Sequence, residues 1–439
     1  MLTTVGRRVP ADDAERPSVA AQWFAVYVVV SVARVTELLP FAHSLPLAKL
    51  VFAVVLVATF RGRRVVSPIR LWSIDLARAA TVFVALVVLS LGFSVWMSHT
   101  LSFITGPFLT IGLGFFVAVK ILARWSDIRV VLKAFAVVGL ILSAEAVAGY
   151  SGGRAVVESM YDTNDLAYVL MGVLPIAMAF GVISHGVWRI YWFGIAGVIA
   201  IAGLLTQSRG GLLAVGAIVL LLVWKPLRGP DLGAGTRARS RGLLVRALLA
   251  AVLSVAVWTQ LPPDAQHRLG LLFSLQDDYN ADLSVEGGRS AIWRRNVIAG
   301  LERPIGYGVD TFEFVDGTIS GRYKAPHNSI VQVFVELGVL GLIFWLRLWF
   351  LSWRSLAPPA PAAAVDPRAA EELREQTILA HALRISLVAL FISGFFLSQA
   401  YSLILWQILP VCAAMSVVFG TNAKRMPAVP RRRHYTALP

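Results

Sequence analysis

The chain has 439 residues, of which 57% are hydrophobic and 15% charged, with a mean hydropathy of +0.71. A soluble domain carries about 25% charged residues, so a water-soluble globular protein is excluded. The formal net charge of +15 points toward nucleic acid only until the basic residues are placed along the chain.

The apolar residues fall in runs near the ~20 residues that cross a hydrocarbon core about 30 Å thick. Backbone polar groups in lipid must pair within their own segment, which makes such runs helices. The period-2 alternation of a membrane β-barrel does not occur. The expected class is all-α, a polytopic helical membrane protein of about twelve transmembrane helices with one large extracytoplasmic loop. A tail at 1–19 is followed by nine spans, at 20–40, 45–60, 76–96, 101–120, 130–149, 164–184, 190–206, 210–225 and 243–260. The first is the least apolar and carries Arg34 and Glu37. It begins about twenty residues into the chain without a small-residue cleavage site, so no cleavable signal peptide is expected. A polar loop at 261–326 precedes the tenth span, 327–349, in a C-terminal membrane region at 327–420. A cytoplasmic linker at 352–380, rich in Ala and Pro and ending in a short polar helix, leads to spans at 381–398 and 401–420 and a basic tail at 421–439.

Basic residues set the orientation. With the N-terminus cytoplasmic, inner segments hold 24 of the 40 Lys and Arg, Lys120 and Lys225 at span edges included. Outer segments hold nine, of which seven lie in the 261–326 loop, so this is the positive-inside pattern. The excess charge therefore faces the cytoplasmic leaflet, where Arg431, Arg432 and Arg433 read as a lipid-headgroup anchor. The lipid bilayer is an expected partner and nucleic acid is not. The one cysteine, Cys412, allows neither an internal disulfide nor a cysteine metal site.

This topology gathers four polar clusters at the outer surface. They are Tyr161 to Asp165, Gln207 to Gly211, Arg289 to Arg295 with the turn Arg303 to Gly308, and His327-Asn328. An arginine between two apolar spans, as Arg209 is, costs several kcal/mol near the bilayer centre and less at an interface. A snorkelling residue in a tight hairpin would explain it, and so would an anion contact, since a guanidinium suits bidentate phosphate recognition. Arg289 and Trp293 lie four apart on one helical face, whereas Arg294 and Arg295 point elsewhere. With nine Asp and Glu against seven Lys and Arg, the loop is no general anion funnel. His327 opens a span, where a neutral imidazole can accept a proton. Glu336 follows Gln332 and Asn328 at i, i+4 spacing and is expected to hydrogen-bond internally rather than react.

In order and spacing these pieces resemble the O-antigen ligase and O-antigen polymerase superfamily of bacterial envelope glycosyltransferases. The matching residues are Asp162 to Ala167, Thr206 to Gly211, Gly288-Arg289 with Trp293, Arg303 to Gly308, His327-Asn328, and Glu336-Leu337-Gly338 with Gly341. The first 150 residues match only in being membrane helices. The resemblance implies an inverting, metal-independent transfer from an undecaprenyl-diphosphate-linked glycan donor, with no cofactor. The acceptor would be a glycan, a lipid or a protein, at the extracytoplasmic face of the bacterial cytoplasmic (inner) membrane. It implies that Arg209 and Arg289 hold the diphosphate and that His327 acts on the acceptor hydroxyl. Asp162, Asn164, Trp293, Arg294, Arg295 and Asn328 are the further expected substrate contacts. Asp277, Asp278 and Asp282 in the loop form no recognisable metal motif. A ligase and a repeat-unit polymerase share this donor site and differ in acceptor. A transporter of a small anion or lipid-linked glycan is the rival of another class. It would place polar groups at the midplane in broken helices and commonly shows internal repeats, neither of which is seen in the sequence.

Overall fold

Helices form where the apolar runs are, and polar caps set their ends. The computed structural model describes residues 16–38, 45–61, 71–150, 154–157, 162–228, 287–359 and 366–425, with five isolated positions between 229 and 286. Helix α1 (Val19–Val32) starts at Ser18, whose hydroxyl accepts the Ala21 N–H. It is followed by α2 (Leu47–Arg61) and by α3 (Asp75–Leu89), which continues as a tighter turn to Phe93. Helix α4 (Met97–Ile121) widens into a π turn around Pro107, whose ring removes one backbone donor. Then come α5 (Trp125–Ala148), α6 (Thr163–Ile183), α7 (Gly186–Leu205) and α8 (Arg209–Trp224). The chain resumes with α9 (Arg289–Glu302), α10 (Phe312–Ser320) and α11 (Ser329–Ser355). It finishes with α12 (Pro367–Gly394) and α13 (Leu403–Arg425).

Among the described residues, eight helices are long and apolar enough to cross a membrane, and α1 and α8 are shorter apolar helices. The described residues form an all-helical, multi-pass arrangement. That count does not establish twelve spans. The ninth expected span lies outside the described residues apart from isolated positions, as do the loop before Gly287, Tyr161, Asp277, Asp278, Asp282 and the Arg431–Arg433 tail.

The linker region differs in detail from the expectation. Helix α11 runs on to Ser355, and the expected short polar helix is the first part of α12. Asp366 caps α12 and Pro367 sits at its first position, where a missing N–H costs nothing.

Helix α6 is the centre of the bundle, packed against α5, α7, α8 and α12 and buried along nearly its whole length. Within the same core, Trp406 of α13 anchors an aromatic cluster. Its ring centroid lies 5.7 Å from both Phe83 and Phe108 and 6.1 Å from Phe115. The two ends of the bundle differ. One is tied by Arg129 to Glu375 at 3.1 Å and by Ser18 N–H to Asp127 at 2.7 Å. The other collects the starts of α6, α8, α9 and α11 and the end of α12.

Candidate functional site

Four helix N-termini meet at this second end, each leaving backbone N–H groups and a positive dipole end directed outward. Asp162 caps α6 by accepting the N–H groups of Asn164 and Asp165, both at 2.7 Å. Ser208 caps α8 through the Gly211 N–H at 3.3 Å. Asn328 caps α11, accepting from Ile330 at 2.9 Å and Val331 at 3.1 Å. Helix α9 starts at Gly288, which offers no side-chain cap. Asp162 and Asn328 therefore have local structural work whatever else they touch.

Arg209 and Arg289 occupy equivalent places, each the first residue of its helix and half-buried. The segment joining α12 to α13, Phe395 to Ser402, brings their helices together. Arg289 donates from Nη1 to the Phe396 carbonyl at 3.3 Å. A Cβ at Gly210 would stand 3.4 Å from the Phe396 Cβ, so the turn carrying Arg209 rests against the same residue. Arg154 joins that turn to α6, giving Nε to the Thr206 carbonyl at 3.0 Å and Nη2 to Asn164 Oδ1 at 3.2 Å.

His327 lies against this group. Its main chain is left-handed, with φ 44°, and its N–H donates to Ser398 Oγ at 3.1 Å. Burial holds the imidazole below its usual range, and the Arg289 guanidinium adds to this, while the Asp162 carboxylate pulls the other way and Lys324 acts with Arg289. At neutral pH the ring is thus a neutral base among cations. Trp293 supports the loop behind it, donating Nε1 to the Pro326 carbonyl at 2.7 Å and meeting Phe395 edge-on at 5.5 Å.

Not every expected contact joins this group. Arg294 is exposed on α9. Arg295 is engaged with the buried Asp316, through Nε at 2.6 Å and Nη2 at 2.8 Å, and Asn296 gives Nδ2 to the same carboxylate at 2.6 Å. This pair joins α9 to α10 and gives the loop its shape.

Two features have no counterpart in the sequence reading. The first is a break in α11 at Gly338, with φ 66°, into which the Arg303–Gly308 turn fits. Tyr307 and Gly308 donate to the carbonyls of Val335 and Glu336 at 3.0 and 2.9 Å, and Val339 donates to Pro304 at 2.9 Å. A Cβ on Gly338 would fall 2.0 Å from the Pro304 carbonyl oxygen. The second is the Phe395–Ser402 segment itself, whose only sequence signal is a short polar stretch, Ser398 to Ser402, between two apolar runs. Its Tyr401 hydroxyl donates to the buried Glu336 Oε2 at 2.8 Å, and Gln332 and the Asp310 main chain also bond that carboxylate. The expectation of an internal hydrogen-bonding Glu336 is met.

Residues 194–346 match the O-antigen ligase family model. No curated protein matches the chain. The O-antigen ligase match supports the ligase and polymerase superfamily that the motifs resemble, and with it a ligase- or polymerase-type glycosyltransferase function. It contains Arg209, Arg289, His327 and the Gly338 break, and it leaves out Asp162, Asn164 and the Phe395–Ser402 segment.

Proposed function

We propose that the protein transfers a glycan from an undecaprenyl-diphosphate carrier to an acceptor hydroxyl at the outer face of the cytoplasmic membrane, with no metal ion. The observation that carries this reading is the grouping of Arg209, Arg289 and His327 around one short segment, at an end where four helices begin. Helix N-termini and guanidiniums both favour phosphate oxygens. As the bond between the sugar C1 and the diphosphate oxygen breaks, charge grows on the leaving diphosphate. Two fixed guanidiniums stabilise that charge in the role a divalent ion fills elsewhere. The acceptor oxygen attacks C1 from the opposite face and gives its proton to the neutral His327 imidazole.

The broken α11 bears on the transporter rival, because transporters coordinate cargo on unwound backbone. Here Tyr307, Gly308 and Val339 satisfy the groups at the break, which supports a braced scaffold over a cargo site. Incubating purified protein with lipid-linked oligosaccharide and candidate acceptors tests the proposal and distinguishes ligase from polymerase. A glycosylated lipid or protein marks the first and a lengthened lipid-linked glycan the second. Accumulation of substrate across a sealed vesicle without transfer would overturn the enzymatic reading.

A further inference from the structure

The Phe395–Ser402 segment makes more specific polar contacts than a hairpin between two membrane helices requires. Leu397 accepts from the Ser329 hydroxyl at 2.8 Å, and Gln399 N–H returns a bond to that hydroxyl at 3.0 Å. The Gln399 side chain donates to Asp165 at 2.7 Å, Trp345 donates to the Ala400 carbonyl at 3.2 Å, and Ser402 meets the Tyr168 hydroxyl at 2.9 Å. With Tyr401 on Glu336, helices α6 and α11 fix the segment along its length. It is therefore a rigid strap, and two of its groups face the proposed site: the Phe396 carbonyl on Arg289 and the Ser398 hydroxyl on His327.

His327 needs such a support. An L-residue in the left-handed region is strained and keeps that conformation only where its surroundings enforce it. Asn328 fixes the following turn through its cap, and Ser398 takes the His327 N–H itself. Without that acceptor the main chain can relax, and a change in φ swings the Cα–Cβ bond and the whole imidazole with it. We propose that Ser398 is a positioning residue, holding His327 in its left-handed conformation so that the imidazole meets the acceptor hydroxyl beside the Arg289-bound diphosphate. The inference rests on the transfer reaction proposed above.

The test compares wild type, His327→Ala, Ser398→Ala and Ser398→Thr in the lipid-linked oligosaccharide assay, with melting temperatures measured in the same detergent. Ser398→Ala should lower kcat about 100-fold, the scale of a roughly 1 Å misplacement, while KM for the donor changes less than about twofold. The acid limb of kcat/KM should move up toward the ordinary imidazole value of about 6.5, because a released ring leaves its buried place beside Arg289. Ser398→Thr keeps the oxygen and should restore most of the rate. Wild-type kcat in Ser398→Ala overturns the inference, as does a Thr variant no better than Ala at an unchanged melting temperature. So does a rate that falls only in step with melting temperature, with the acid limb unmoved. Full activity in His327→Ala would instead remove the transfer mechanism on which the inference stands, whereas an inactive His327→Ala beside a fully active Ser398→Ala defeats the inference alone.

Discussion

At the scale of single residues, the three proposed reacting groups differ in what a substitution should reveal. Lysine at position 209 or 289 keeps the charge but loses the planar fork, so each variant should lose most of its transfer activity. Turnover measured on protein recovered from the membrane checks this, and near-wild-type rates in both would remove their proposed role. For His327 the sign of the pH effect follows from its surroundings. Burial and Arg289 lower its proton affinity, so the neutral base persists below the usual value of about 6.5. Activity should hold as pH falls through 6.5 and decline only at lower pH. Lys324→Ala removes one of the opposing cations and should move that acid limb upward. A limb at the same pH in both proteins would show that Lys324 does not hold down the His327 titration. Arg295 belongs to a different account. Its bidentate partner Asp316 is fully buried, so Arg295→Ala removes the cation on a buried carboxylate that keeps the Asn296 amide and the Lys324 N–H, and should cost up to about 3–5 kcal/mol of stability. Thermal melting measures that cost, and the protein that stays folded should retain transfer.

At the scale of elements, two glycines with positive φ separate strain from collision. Gly321, with φ 69°, ends α10 in open space, so Gly321→Ala carries only the left-handed penalty of about 1–2 kcal/mol. Gly338 has φ 66° and a carbonyl oxygen where its Cβ would stand. Gly338→Ala should therefore push the Arg303–Gly308 turn out of α11 and destabilise by several times as much. Equal melting temperatures for the two variants would contradict the account of the break. These elements also show what a sequence discloses. The apolar spans were legible because lipid forces long apolar runs into helices; Arg209 and His327 stood out as polar residues at span mouths, and Arg289 as a basic residue in the long polar loop. The Gly338 break was not legible, since glycine is common in membrane helices and the turn that fits it lies some thirty residues away, at Arg303–Gly308. The strap was hidden for another reason. Ser398 and Gln399 look like a solvated hairpin until α6 and α11 supply their partners.

At the scale of the whole molecule, the asymmetry of basic residues and the different chemistry of the two bundle ends make one prediction. Cys412 is buried, so added cysteines can report on sidedness. In intact cells a membrane-impermeant thiol reagent should label Thr318→Cys on α10 and leave Glu371→Cys on α12 unlabelled. The reverse pattern would put the proposed site in the cytoplasm and rule out transfer at the outer face.

The strap also has a consequence for biosynthesis. A growing chain delivers its N-terminal parts first, at about 5–20 residues per second. Arg209 precedes Ser402 by 193 positions, so about 10–40 s pass between the two. During that interval Asp165 and Tyr168 are already made while the strap groups that bond them have yet to be, and Glu336 joins them only in its later part. The Arg209 turn is thus made well before the strap that both Arg289 and His327 bond. The proposed site is therefore complete only once the last hairpin has entered the membrane.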